Sequence, residues 1–278
     1  YNHIKQLMIS QLVFAILLLG AGYYFYLNAA KIYRNIKLCN KIDRFDNPSE
    51  RLKTMLLVAF GQKKMFKKPI PALLHLLVYV EFCIINIEMI EILIDGIFGT
   101  HSILSFLGDL YAILIGSFEI LAFAVLISCL IFLIRRNILK VNRLNQAELN
   151  KWPKTDANLI LIVEILLMTA FLMMNAADYK LQQLGVAGYH TVGSFPISSH
   201  LFAMLPDNSS SLISIERFCW WFHIIGVLAF LNYLPFSKHL HIILAFPNTY
   251  FSKLEPKGKF ENMPAVTAEV KSMLDPSI

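Results

Sequence analysis

Five stretches of this chain stay apolar for about 20 residues or more, enough for a helix to cross a hydrocarbon core of roughly 30 Å. They cover roughly residues 8–26, 70–94, 107–134, 157–175 and 212–246. Composition agrees: 56% of the residues are hydrophobic and 16% are charged. Soluble domains average about a quarter charged residues, so the apolar surplus here must face something other than water. The sequence therefore predicts an all-α integral membrane bundle of five transmembrane helices over residues 1–246, embedded in a lipid bilayer, with a polar tail over 247–278.

The polar segments set the expected orientation. Residues 31–69, 135–156 and 247–278 hold 21 of the 25 Lys and Arg, whereas 95–106 and 179–211 together hold only Lys180. By the positive-inside rule the basic loops and the C-terminal tail face the cytoplasm and the N-terminus faces outward. Within the first basic segment, Arg51–Phe66 alternates apolar and basic residues and predicts an amphipathic helix on the cytoplasmic membrane surface. The net charge of +6 is thus a topology signal, and a nucleic-acid partner is not expected. Pro69 and Pro71 suit the first turn of the second span, and Pro235 is placed to kink the long fifth one.

Cys39, Cys83, Cys129 and Cys219 show no C-x-x-C spacing, and three of them sit in apolar runs. They read as small hydrophobes, so no zinc ribbon or iron–sulfur cluster is expected from these residues alone. The first apolar run lacks a basic n-region with a small-residue cleavage site after it and reads as a true span. The chain opens on Tyr1 rather than Met, which suggests a trimmed version of a longer chain.

Histidine inside a bilayer is costly and points to function. His75, His223, His239 and His241 all fall within expected spans. His75 lies about six residues into the second span and His241 about five from the end of the fifth, so both lie roughly 8–9 Å inside the same face. Two imidazoles at one depth on two helices suit bis-histidine haem ligation, each reaching the iron from its own side. Polar packing against neighbouring carbonyls is the plainer reading of each. On a continuous fifth helix, His223 and His241 share a face about 27 Å apart, while His239 is turned about 160° from His223. That geometry favours His241 as the ligand. Glu81, Glu88 and Glu91, with Glu119 and Glu164, are carboxylates in spans; they either relay protons or sit protonated, with Glu88 and Glu91 nearest the outer surface and expected to be the wetter ones. His190 and His200 read as solvated loop residues.

From Trp220 to His241 the chain carries two Trp, then His223, then Pro235, Phe236, Ser237 and Lys238 ahead of the second His. This stretch resembles the fifth helix of the cytochrome b (gamma) subunit of respiratory nitrate reductase. The segment from Gly61 to His75, with Lys63, Lys64, Lys67, Lys68 and the two prolines, resembles that family's entry into its second helix. It looks closer still to the membrane module of heterodisulfide-reductase-like iron–sulfur oxidoreductases.

The resemblance implies that His75 pairs with His241 on a haem b iron. It also leaves a second haem open at His223, although Ile85 stands where a second helix-two His is expected, with His101 and Met89 as the substitutes. It further implies quinone as substrate and a cytoplasmic iron–sulfur protein or domain as partner, with a flavoprotein system beyond it. Any iron–sulfur cluster would lie in the partner or downstream of these residues. The expected role is electron transfer between the quinone pool and that partner at the bacterial cytoplasmic (inner) membrane. A transporter or a structural membrane anchor without haem is the competing class.

Overall fold

The computed structural model describes residues 2–40, 42–256, 258–259 and 263–275. Lys41 and Lys257, counted above among the basic residues, lie outside them. The described residues are helical with no strand: α1 (Asn2–Lys37), α2 (Pro48–Met55), α3 (Pro69–Phe98), α4 (Asp109–Leu133), α5 (Trp152–Gln183), α6 (Ser198–Leu201), α7 (Ser209–Tyr233), α8 (His241–Tyr250) and α9 (Pro264–Leu274). Five helices are long and apolar enough to cross a membrane: Met8–Lys37, Pro69–Phe98, Asp109–Ile138, Trp152–Gln183 and Ser209–Phe236. The expected membrane bundle is the observed one.

The helix ends follow local chemistry. Pro69 and Pro71 stand in the first turn of α3, where a missing N–H costs no intrahelical bond. That helix stops at Gly99, whose φ of 68° is left-handed and whose N–H returns to the Asp95 carbonyl. At the start of α7 the Asn208 side chain caps the Ser210 N–H. The fifth span departs from the expectation. It does not run kinked to Phe246 but ends at Phe236, because Pro235 cannot donate and Ser237 is extended, with φ −108° and ψ 159°. A short 3₁₀ turn follows, and a new helix, α8, begins at His241. His223 and His241 therefore do not share one continuous helix.

By its contacts the chain forms two units, one of residues 1–40 and 65–241, the other of 41–64 and 242–278. The middle of the first basic segment, residues 41–64, thus shares a unit with residues 242–278. In the first unit, neighbouring spans pack in chain order: α3 on α4, α4 on α5, α5 on α7, with α1 against α3 and α7. The α4–α5 seam holds the main core, including Phe118, Ala122, Val125, Phe171 and Leu172. Lipid tails are as apolar as Leu, so helices in a bilayer associate by close fit at small residues. Gly226 of α7 lies against Leu167, and Gly96 of α3 lies against the Phe14 ring; a Cβ on Gly96 would stand 2.5 Å from that ring. Phe14 also packs on Trp220, with ring centroids 5.5 Å apart, which seats α1 on both neighbours.

In the second unit, Arg51 of α2 is buried and makes its contacts through every guanidinium nitrogen. Nε and Nη2 donate to the Asp46 carbonyl and carboxylate at 2.7 Å, and Nη1 donates to the carbonyls of Tyr250 and Ser252 at 3.1 and 2.9 Å. The hydrogen bond from Arg51 holds the Asp46 carboxyl below its ordinary value of 3.8. The amphipathic segment expected on the membrane surface is thus fastened to the start of the tail through its own first helix.

Gly96→Ala is expected to force the Phe14 ring aside and cost about 1–3 kcal/mol, read as a lower melting temperature in detergent. Adding Phe14→Leu should recover most of the loss. A Gly96→Ala variant as stable as wild type would show that α1 does not depend on this contact.

Candidate functional site

The basic loop between α4 and α5 and the break after α7 meet at one end of the first unit. Asp156, near the start of α5 and 3% exposed, organises that end. Its carboxylate accepts the Tyr233 hydroxyl and, at 3.1 Å, the Lys238 N–H. The two oxygens thus hold the chain on either side of Pro235, where helical bonding is interrupted. Ser237 Oγ then accepts the His239 N–H at 2.9 Å. Nothing in the sequence marks this acid out, since residues 135–156 also hold Glu148 and six Lys or Arg.

This arrangement gathers three histidines. The rings of His239 and His241 stack with centroids 5.8 Å apart and an interplanar angle of 25°. His75, from the second turn of α3, lies within electrostatic reach of both. The 160° separation expected of His239 holds only on a continuous helix, and the break at Ser237 brings it beside His241. His241 is exposed, and its Nδ1 sits 2.8 Å from the Lys238 carbonyl. Donation there fixes the tautomer and leaves Nε2 as a free acceptor, the state a metal ligand needs. The Nδ1 atoms of His75 and His239 are buried without a hydrogen-bond partner.

The charge around the cluster is positive. Arg136, from the turn that ends the third span, carries a buried Nε without a partner. Burial and that guanidinium hold Lys238 below its ordinary value, against the opposing pull of Asp156. Burial, with His241 and Lys238 beside it, pushes His239 down to about 4, so its ring is neutral near pH 7. Among the described residues no group of three or more His, Cys, Asp or Glu is arranged to hold a bare metal ion.

The remaining candidates lie elsewhere. His223 is 3% exposed, its Nδ1 3.2 Å from the Leu167 carbonyl and its ring 6.1 Å from that of Phe171. Ile85 packs into the apolar core on α4 and α5, and Met89 joins the Phe14 cluster. His101 faces Asp178 at 3.6 Å and the Tyr189 ring at 5.1 Å. Glu88 and Glu91, expected to be wet, are 5% and 4% exposed. Glu119 is fully enclosed and accepts from Asn175 at 3.1 Å and from the N–H groups of Ile197 and Ser198 at 3.0 and 3.1 Å. An apolar cleft of about 320 Å³ runs between α1 and α7, with Gly20 and Ala21 on one wall and Asn232 at one end.

No protein-family model and no solved structure matches this chain. It is similar to a probable iron–sulfur-binding oxidoreductase of Bacillus subtilis, FadF, with 29% identity over 259 residues, covering 92% of this chain and 35% of that protein. It is also similar to an EtfAB:quinone oxidoreductase of Syntrophomonas wolfei, with 25% identity over 228 residues, covering 78% of this chain and 30% of that one. The chain thus spans about a third of the length of these curated relatives. Both are oxidoreductases and neither is a nitrate reductase subunit, so the likeness lies with iron–sulfur and quinone oxidoreductases rather than with the nitrate reductase gamma subunit.

Asp156→Ala would leave the Tyr233 hydroxyl and the Lys238 N–H without their acceptor. Both hydrogen bonds are part-buried and each contributes about 0.5–1.5 kcal/mol net, so a drop in melting temperature is expected, with a smaller one for Asp156→Asn. A variant that melts with wild type would show that the break is held by other contacts.

Proposed function

We propose that this chain is a haem b membrane domain that passes electrons between the quinone pool and an iron–sulfur protein or segment, with a flavoprotein system beyond it. The observation that carries the reading is the convergence of His75 with the His239–His241 pair, from segments more than 160 residues apart in sequence, at the basic end of the bundle. The relatives' names, an iron–sulfur-binding oxidoreductase and a quinone oxidoreductase, support the same class.

The residues at this end fit a haem. His75 and His241 would hold the iron, the first with a buried ring nitrogen lacking a partner and the second with its tautomer fixed by the Lys238 carbonyl. Arg136 and Lys238 supply cationic partners for the carboxylates of such a group. When bound, haem supplies a one-electron carrier within the membrane. Asp156 positions the ligand-bearing turn, while His239 packs against His241. The cleft beside Asn232, apolar with a single amide at its end, suits a lipid-soluble quinone ring and its tail. By the positive-inside rule the basic end lies on the cytoplasmic side of the bacterial inner membrane. Its lysines and arginines would steer an acidic electron-transfer partner to it.

Purified in detergent, the protein should give a b-type band in its dithionite-reduced minus oxidised spectrum. That band should be absent from His75→Ala and His241→Ala and kept in His223→Ala. A folded wild-type preparation with no haem would overturn the proposal and favour a transporter or structural anchor.

A further inference from the structure

The opposite end of the bundle holds a second set of polar groups, which the histidine site does not use. Outside the membrane end of α3, His101 faces Asp178 of α5 across 3.6 Å, with its side chain 30% exposed. One step inward, the Tyr111 hydroxyl of α4 lies within range of Ser102, Glu91 and Asp178. Glu91 accepts the Leu104 N–H at 2.9 Å and also faces Tyr111. Glu88 follows one turn deeper, then Glu81 two turns deeper still, roughly 10 Å along the axis. These side chains belong to three helices, yet each lies within electrostatic reach of the next.

Their burial is what demands an account. Glu81 and Glu88 are 2% and 5% exposed, and each keeps one carboxyl oxygen enclosed and without a hydrogen-bond partner, Oε1 of Glu81 and Oε2 of Glu88. Glu119 beside them is different: three donors already satisfy its carboxyl group, which fastens the 197–198 segment. A packing role of that kind does not explain Glu81 or Glu88. Unpaired carboxyl oxygens in a membrane interior are costly. In a row that starts at a half-exposed histidine, they are the groups that pass protons through carboxyls, a phenol and intervening water.

We propose that His101, Asp178, Tyr111, Glu91, Glu88 and Glu81 form a proton path from the end opposite the basic loops to the middle of the bundle. A proton moves from each donor to the next acceptor, so no group on the path is oxidised or reduced. Glu164 of α5 lies within electrostatic reach of Glu81 and is the next acceptor inward. The path would let protons exchanged in the membrane interior communicate with one side only. It stands independently of haem and quinone binding.

Infrared spectroscopy of the full chain in lipid, transferred from H₂O to D₂O, tests this without any redox partner. Protonated-carboxyl C=O bands should shift to lower frequency within minutes. Glu88→Gln and Glu81→Gln should each remove one band, and their circular dichroism and melting report that the fold persists. Tyr111→Phe and Asp178→Asn should slow exchange of the Glu88 band by about tenfold or more, with the band still present. Should Glu88→Gln fail to fold, Glu88→Asp serves, moving the band rather than deleting it. Bands that resist exchange for hours, or that exchange equally fast in the Tyr111 and Asp178 variants, would overturn the path and leave isolated structural carboxyls. Because the readout needs no haem, a failure here is distinct from a failure of the electron-transfer reading.

Discussion

A chain crossing a bilayer must satisfy its backbone groups internally, and Pro235 removes one donor where the last span meets the membrane face. Asp156 holds the resulting break from outside the helix. Its two oxygens take the Tyr233 hydroxyl and the Lys238 N–H, so the polypeptide can leave α7, turn, and start α8 at His241. Everything at the histidine end depends on that turn. Without the break, His239 and His241 would lie on different sides of one helix; with it, their rings stack within electrostatic reach of His75. One buried carboxylate thus turns a helix terminator into a fixed bend that brings His239 beside His241.

The bundle behind the site divides its labour. The α4–α5 seam is apolar and tightly filled, which gives a rigid wall. The α1 contact is lighter and depends on Phe14 sitting over a glycine. Between those two, α3 carries a run of polar groups: half-buried His75 near the basic end, then Glu81, Glu88 and Glu91, all buried, along its length. A helix that faced only lipid could not bear that sequence, because carboxylates facing hydrocarbon are costly. Its polar stripe is tolerated because α4 and the segment after His101 cover it.

The five spans were legible because about 20 apolar residues admit few other fates. Their ends were less so. The helix of α1 runs on to Lys37, past the apolar block that ends near Tyr26, since Arg34 and Lys37 leave the membrane without leaving the helix. At the other extreme the fifth apolar block outlasts its helix, because hydropathy is blind to the missing N–H of Pro235. Among the histidines gathered at the basic end, His75 and His241 were picked out by their expected depth. His239 was misplaced, since its expected face assumed an unbroken 3.6-residue repeat. Asp156 was invisible, because its role lies in two hydrogen bonds across 77 and 82 residues of sequence. Glu88 and Glu91 were expected to be wet from their position along α3. Their cover comes from α4 and from the segment after His101, which no pattern within α3 reveals.

In the proposed function His75 and His241 act as a pair on one iron. Low-temperature electron paramagnetic resonance of the oxidised protein tests this most directly, because the spin state of ferric haem reports its axial ligands. A low-spin signal of bis-histidine type is expected in the wild type, with neither His75→Ala nor His241→Ala retaining it and His239→Ala leaving it in place. A wild-type signal that is high-spin, or one that survives loss of either histidine, would contradict the pairing.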